Sequence, residues 1–426
     1  MGNIMTKVDG LLILLLAGSL GWAQPAPPAS SEDQNAALLQ RVEELEKKVQ
    51  DLQARLDATS SASPSTPVPA TPPSSENATP APGDNESPTT PASDPHLAIH
   101  GLNIRGFGQA QYIADDLHGD RPDLDIGNLT LLLSSEISSR LSALGELAFD
   151  EPGYGGPNFN VDVARLLLQY QQNDALKIGV GRYFTSIGYY NTAYYNADWA
   201  QTTMRRPVIV EFMDQGGVLP TQRNGITLSG RLTSSDLGLH YVAEVGSGDM
   251  QRTDILQLGY EFFYKARTAY NLALFMRPEK LRGLQVGGSY YHDTVIPTNN
   301  GVDLATVRQS IGSVYAVYNT SRWEWLNEAY VIHHAVLDSR TYNTPAFYTQ
   351  ISRRLTHSIR PYFRYTWINA SNSNPIFADV SRADGIETGI RYNFSEWVGL
   401  KTEYDRMNIR DLTSINFIGS QLVFTF

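Results

Sequence analysis

From residue 97 to the C-terminus the chain keeps one texture: short segments of alternating apolar and polar residues, divided by turn-forming sequence. The last of them, SINFIGSQLVFTF, places Ile418, Leu422, Phe424 and Phe426 on one face and Phe417, Gly419, Gln421 and Thr425 on the other. A period of two is that of a β-strand. Sixteen such segments are predicted, near 101–113, 124–137, 141–149, 161–171, 175–184, 223–232, 236–246, 267–277, 283–293, 308–319, 322–335, 345–355, 358–369, 384–394, 397–408 and 414–426. The eighth is ambiguous, since DILQLGYEFFYKARTAYNLALFMRP holds enough apolar residues for one strand or two.

The connections sort by parity. Links such as EISSR, QQNDA, LTSSD, RPEKLRG, YNTSR, RRLTHS and NFSE are short. The alternate set, including ADDLHGDRPD, DEPGYGGPNF, 185–222 and SNSNPIFADVSRADG, is mostly long and polar. Alternating tight turns and long loops mark an up-and-down transmembrane barrel, with both chain ends on the tight-turn, periplasmic side when the strand number is even. The fold expected is therefore all-β: a sixteen-stranded antiparallel transmembrane β-barrel over 97–426.

Strand parity assigns the two faces. Leu176, Ile178 and Val180 share one face, as do Leu272, Leu274 and Met276, and Pro361, Phe363, Tyr365 and Trp367. These are expected to meet outer-membrane lipid, with Tyr112, Tyr170, Tyr183, Tyr290, Trp323, Trp325, Trp367 and Trp397 as interfacial aromatics. The opposite faces are polar and predict a hydrated lumen. They nominate Arg105, Arg165, Arg223, Arg231, Arg277, Arg360, Arg364, Arg391 and Lys401 as lumen-lining cations, with Glu244, Glu328, Glu387, Glu403 and Asp405 on the same side. Each of these charges either touches solute or braces the wall.

The N-terminal part differs. Residues 1–23 read as an export signal: Lys7 precedes the apolar run Leu11–Leu16, and Gly21 and Ala23 supply small residues before a cleavage point. Residues 31–57 carry Leu38, Val42, Leu45, Val49, Leu52 and Leu56 at alternating spacings of four and three, a heptad seam for a short α-helical coiled coil. Val at a and Leu at d favour two parallel strands. Residues 58–96 are rich in Pro, Ser, Thr and Ala and predict an extended tether.

Composition removes several classes of function. With no cysteine, disulfides, thiolate metal sites and cysteine nucleophiles are excluded. A net charge of −11 argues against nucleic acid as a partner. His333 and His334 are adjacent and must face opposite sides of a strand, and the 8 histidines show no metal-ligand spacing, so neither catalytic residues, metal nor cofactor is expected.

In order along the chain, the signal, the coil, the Pro-rich tether, GFGQAQY, GRYFTSIGYYN, GLQVGGSYY, LKTEYDR and a terminal strand ending in Phe426 resemble outer-membrane porins. The closer resemblance is to the phosphate-selective porin O/P superfamily, among members with an N-terminal periplasmic coiled coil. That resemblance implies a homotrimer passing small polar or anionic solutes, phosphate or dicarboxylate-like, by passive diffusion. It implies that the connection after the fifth strand folds inward as a constriction loop bearing Tyr189, Tyr190, Arg205, Arg206, Glu211 and Asp214, beside Tyr194, Tyr195 and Trp199. It also implies that Phe426 is read as an assembly signal. The alternative functions are a barrel that mainly anchors a coil touching peptidoglycan, or an outer-membrane enzyme.

Overall fold

A computed structural model describes residue 47 and residues 101–116, 123–125, 127–150, 160–194, 198–232, 236–256, 260–299, 301–410 and 414–426. The chain divides into two compact units, Met1–Glu76 and Asn77–Phe426. Of the first unit only Lys47, in helical conformation, is described. The expected signal, the remainder of the coil and the tether lie outside the described residues.

The second unit is a closed antiparallel barrel with a wall of 16 strands. They are β1 (Leu102–Asp115), β2 (Asn128–Glu136), β3 (Leu141–Asp150), β4 (Asn160–Asn173), β5 (Leu176–Phe184), β6 (Gln222–Arg231), β7 (Leu239–Ser247) and β8 (Ala269–Met276). They continue as β9 (Leu284–Asn299), β10 (Val307–Asn319), β11 (Trp323–Val336), β12 (Thr341–Arg353), β13 (Ile359–Asn369), β14 (Arg382–Asn393), β15 (Val398–Ile409) and β16 (Ser414–Thr425). Each strand pairs with the next, and β1 closes on β16 from Phe107↔Thr425 to Asp115↔Phe417. Closure removes every sheet edge, the condition for a sheet in hydrocarbon.

The period-two split governs the wall. On β16, Ile418, Leu422 and Phe424 are exposed while Phe417, Gln421 and Val423 are buried inward. On β13, Phe363 is exposed while Tyr362 and Arg364 are buried. On β8, Leu272 and Leu274 point out and Asn271 is buried. Large exposed apolar side chains on every side of a closed barrel form a band suited to lipid chains. Tyr112, Tyr170, Tyr290, Trp323, Trp325 and Trp397 are exposed, as expected of a rim. Tyr183 is not part of it: the residue is buried and registers with buried Arg223, so its ring faces inward.

The ambiguous eighth segment resolves into two pieces. Ala269–Met276 crosses the wall, whereas Glu261–Ala266 pairs with Met250–Thr253 and with the outer part of β9 (Phe263↔Thr298). β9 runs to Asn299 and β12 starts at Thr341, both longer toward the long-loop end than alternation predicts. Residues 337–340 consequently form a tight turn, with Asp338 at φ 56°, so not every connection at that end is long.

The inward faces also depart from expectation. Polar inward residues do line β1, with Arg105, Gln109 and Gln111. Toward the long-loop end of β9–β15, however, Val295, Val307, Ile311, Ile332, Ile368 and Ile409 point inward and are buried in one apolar cluster with loop residues. That side of the lumen is a packed core, because three loops fold down onto it.

Candidate functional site

The connection between β5 and β6, residues 185–221 and here called L3, runs along the inside of the barrel. Its root is pinned by Asn191, whose Nδ2 donates to the carbonyls of Thr185 and Thr221, both at 2.9 Å. The first arm offers amides to carboxylates of the wall. Ser186 Oγ donates to Glu244 on β7 at 2.8 Å. The backbone N–H groups of Tyr189 and Tyr190 donate to Glu328 on β11 at 2.6 and 2.9 Å. Tyr330 Oη donates to the same carboxylate at 2.7 Å, as does Tyr348 Oη. Gly188 has φ +76°, and a Cβ there would collide with Glu328 and Tyr330, so only glycine lets the chain approach this closely.

The second arm reverses the polarity and offers carbonyls to cations. Arg391 Nη1 on β14 donates to the carbonyls of Trp199 (2.6 Å) and Gln201 (2.8 Å), with its guanidinium 4.7 Å from the Trp199 ring. Lys401 Nζ on β15 donates to the carbonyls of Asp198 (2.7 Å) and Thr203 (2.9 Å). Arg364 on β13 donates to Thr203 Oγ1 (3.0 Å) and the Arg205 carbonyl (2.8 Å) and pairs with Glu387. Arg360 meets Thr202 at 3.3 Å and Glu324 at 3.8 Å. Glu403 receives the N–H groups of Met204 (2.8 Å) and Arg205 (3.2 Å). A buried loop carries backbone groups that each cost about 1–3 kcal/mol if left unpaired, and the wall charges supply those partners.

Arg360, Arg391 and Lys401 are cross-strand neighbours in one row. Like charges directly opposite one another repel, and here the loop's carbonyls and Glu324 offset that repulsion. The hydrogen-bonding groups of these lumen cations are therefore directed at L3. Arg223 behaves similarly against other partners, meeting Tyr291 Oη at 2.7 Å and Asp293 at 3.2 Å. Arg231 pairs with Glu279 at 3.0 Å at the tight-turn end, and Arg277 bonds Gln285 at 2.9 Å.

The expected constriction residues divide between packing and exposure. Tyr189, Tyr190 and Tyr194 form an aromatic knot with Tyr348, the Tyr190 and Tyr194 ring centroids 4.8 Å apart. Arg206 is a staple within L3, donating to the carbonyls of Val210 (2.9 Å) and Tyr194 (3.2 Å), lying 3.7 Å from Glu211 and covering the Phe212 ring at 4.2 Å. Arg205 is half-buried over the Phe417 ring at 5.0 Å, and Asp214 is exposed. Tyr195 lies outside the described residues. Burial pushes the Glu211 carboxyl above its usual range, with Arg206 opposing, and Asp198 likewise, with Lys401 opposing.

Two expected lumen cations lie on β1 and β4, where among the L3 residues Phe212 packs on Ala164 and Phe184. Arg105 on β1 is exposed on the inward-facing register, beside Gln109 and Gln111, which are half-buried. Arg165 on β4 pairs with Glu146 at 2.8 Å and covers the Phe184 ring at 4.7 Å. On these strands Arg105 is exposed and Gln109, Gln111 and Arg165 are half-buried, whereas Thr130, Glu146 and Gln169 are buried.

Glu387, Glu403 and Asp405 approach one another within 4.8 Å. Arg364 and two loop amides face this group, which makes it part of the loop's anchorage. His333 is half-buried and His334 is buried, on opposite faces as their adjacency requires.

Sequence reasoning missed a second set of loop residues. Asn374, Phe377, Arg252 and Asp379 are drawn to the wall at His334. The signal was present as Ile376, Phe377 and Val380 within a connection otherwise read as polar.

No protein-family profile matches the sequence, and no curated protein matches it. Solved structures do match. The outer membrane channel DcaP of Acinetobacter baumannii superposes with TM-score 0.54 at 11% identity, over 76% of this chain and 97% of that one. The anion-selective porin from Comamonas acidovorans gives 0.53 at 13% identity, over 76% and 99%. In-vitro folded OmpT of Vibrio cholerae, in a trimer form, gives 0.51 at 12% identity, over 76% and 99%. At such identities the likeness is one of fold. The chain has the barrel fold of outer-membrane porins.

Proposed function

We propose that this protein is an outer-membrane porin, a water-filled channel through which small polar, anionic solutes of the phosphate or dicarboxylate kind diffuse passively. The observation that carries this reading is the division of the lumen. L3 is clamped along one side, while Arg105 stays exposed on the inward face of β1 and Arg165 half-buried on that of β4. A cationic wall facing a low-dielectric loop raises the local concentration of anions. The fold neighbours support it, one being an anion-selective porin and one an outer membrane channel. The order of motifs supports the phosphate-selective porin O/P superfamily.

In this reading the tight turns face the periplasm, where the coiled coil lies and contacts peptidoglycan. The working unit is a homotrimer, a state in which one fold neighbour is described. Passive diffusion of this kind needs no cofactor and no catalytic residue.

Planar-bilayer recording tests the proposal. Purified protein is expected to give stepwise open channels whose reversal potential in a salt gradient favours anions, and Arg105→Glu with Arg165→Glu is expected to shift it toward cations. Absence of channel steps would overturn the porin reading. Steps whose selectivity is indifferent to both substitutions would overturn the assignment of the pathway to the β1–β5 wall.

A further inference from the structure

L3 is not alone inside the mouth. The connection between β13 and β14, residues 370–381 and here called L7, is buried along much of its length, with Asn374 and Val380 at 0% exposure and Phe377 at 1%. It is held at both ends. On the wall side, the Asn374 amide meets His334 Nδ1 at 2.9 Å, His334 Nε2 meets Gln309 at 2.7 Å, and the Phe377 ring lies 4.8 Å from the His334 ring. On the other side Arg252, in the connection between β7 and β8, pairs with Asp379, Nη1 donating at 2.9 Å. The Arg252 guanidinium also lies 5.8 Å from the Phe377 ring, and its Nη2 donates to the Ile376 carbonyl at 3.3 Å. The Ile255 N–H completes the set, donating to Asp379 at 3.1 Å.

The wall beneath supplies the second half of the argument. Val307, Ile332 and Ile368 face inward at the long-loop end, yet they are at most 1% exposed. An inward-facing residue near the mouth of an open channel would be wet. Here loop atoms, not water, occupy that part of the cross-section. The apolar inward residues make sense as a seat for the loops folded into the mouth, L7 and L3 among them, since an apolar wall along an aqueous path would forfeit burial.

We infer that L7, latched by the Arg252–Asp379 pair and seated on His334, is a second constriction at the long-loop mouth and sets the largest solute the channel admits. This rests on the diffusion-channel reading. Selectivity by charge and selectivity by size are then divided between two places: the β1–β5 wall acts on charge, and the L7 seat acts on bulk. A fixed latch with a buried guanidinium and three acceptor contacts on L7 acts as a permanent narrowing, since opening it would strand a buried charge.

Liposome swelling with arabinose, glucose, sucrose and raffinose tests it, using wild type, Asp379→Ala and Phe377→Ala as folded, heat-modifiable protein. Both variants are expected to raise the sucrose and raffinose rates severalfold relative to arabinose. Should Asp379→Ala fail to fold or insert, Phe377→Leu, which leaves the latch in place and trims the plug, decides by the same ratio. Unchanged ratios in conducting variants would overturn the L7 constriction alone. Wild-type liposomes that do not swell even with arabinose would instead overturn the diffusion-channel reading.

Discussion

Phe426 and Gly106 exchange both backbone hydrogen bonds, N–H to carbonyl at 2.9 and 3.0 Å, so the last residue of the chain completes the seam at which the barrel closes. The Phe426 ring then lies across Gly106, where any Cβ would collide with it, and stacks with Phe424 at 6.5 Å. Gly106→Val is expected to lower the yield of closed barrel, and deletion of Phe426 more so, because the seam loses its final pair. Heat-modifiable electrophoretic mobility reads this directly. Channels that do form are expected to conduct normally, and undiminished yields would contradict the role given to the seam.

Glu328 accepts two loop N–H groups and two tyrosine hydroxyls. Hydrogen bonds to a charged acceptor contribute about 1.5–3 kcal/mol each, so Glu328→Gln is expected to loosen L3 without unfolding the wall. Lys401→Met should act alike, leaving the carbonyls of Asp198 and Thr203 without their donor. Both are expected to increase open-channel noise while moving the reversal potential less than Arg105→Glu does. A large shift in selectivity with quiet channels would show that these charges face solute.

The buried Glu211 carboxyl predicts a pH dependence. Burial raises its pKa, with Arg206 opposing. Such a group binds its proton more tightly in the folded state. Its stabilising share is fully present below the unfolded value of 4.5 and is lost as pH rises through the folded value. Loop noise is therefore expected to fall as pH is lowered toward the ordinary carboxylate range, and Glu211→Gln should flatten that slope. A slope identical in the variant would remove Glu211 from the account.

Val314 lies in the middle of β10 with its side chain 64% exposed on the outward face. Arginine at such a site costs about 2–4 kcal/mol near the bilayer midplane. Val314→Arg should show that loss in urea unfolding from lipid vesicles, and Gln111→Arg, inward on β1, should be close to neutral. Equal costs at the two positions would mean that the faces are wrongly assigned.

The barrel was legible in the sequence because its determinant is local. Leu272 and Leu274, or Phe363 and Tyr365, declare their face through the two-residue period alone, and a shift of one residue would turn every side chain over. The same period located Arg364, Arg391, Lys401 and Glu328 on the inner wall, and the adjacency of His333 and His334 set them on opposite faces. Tyr183 was misplaced because an aromatic at a strand end reads the same whether it faces lipid or lumen.

What an inward charge does was not legible. Lys401 meets Asp198 and Thr203, and Glu328 meets Tyr189, across separations that no periodicity spans. Whether such a group touches solute or a loop carbonyl depends on where the loop goes. The sequence by itself determined the closed wall, its two faces and the direction of its lumen charges, since these follow from alternation and from the cost of open edges in lipid. Only the tertiary structure decided which side of the lumen is packed and which is wet, because the paths of L3 and L7 are set by buried backbone groups finding partners on distant strands.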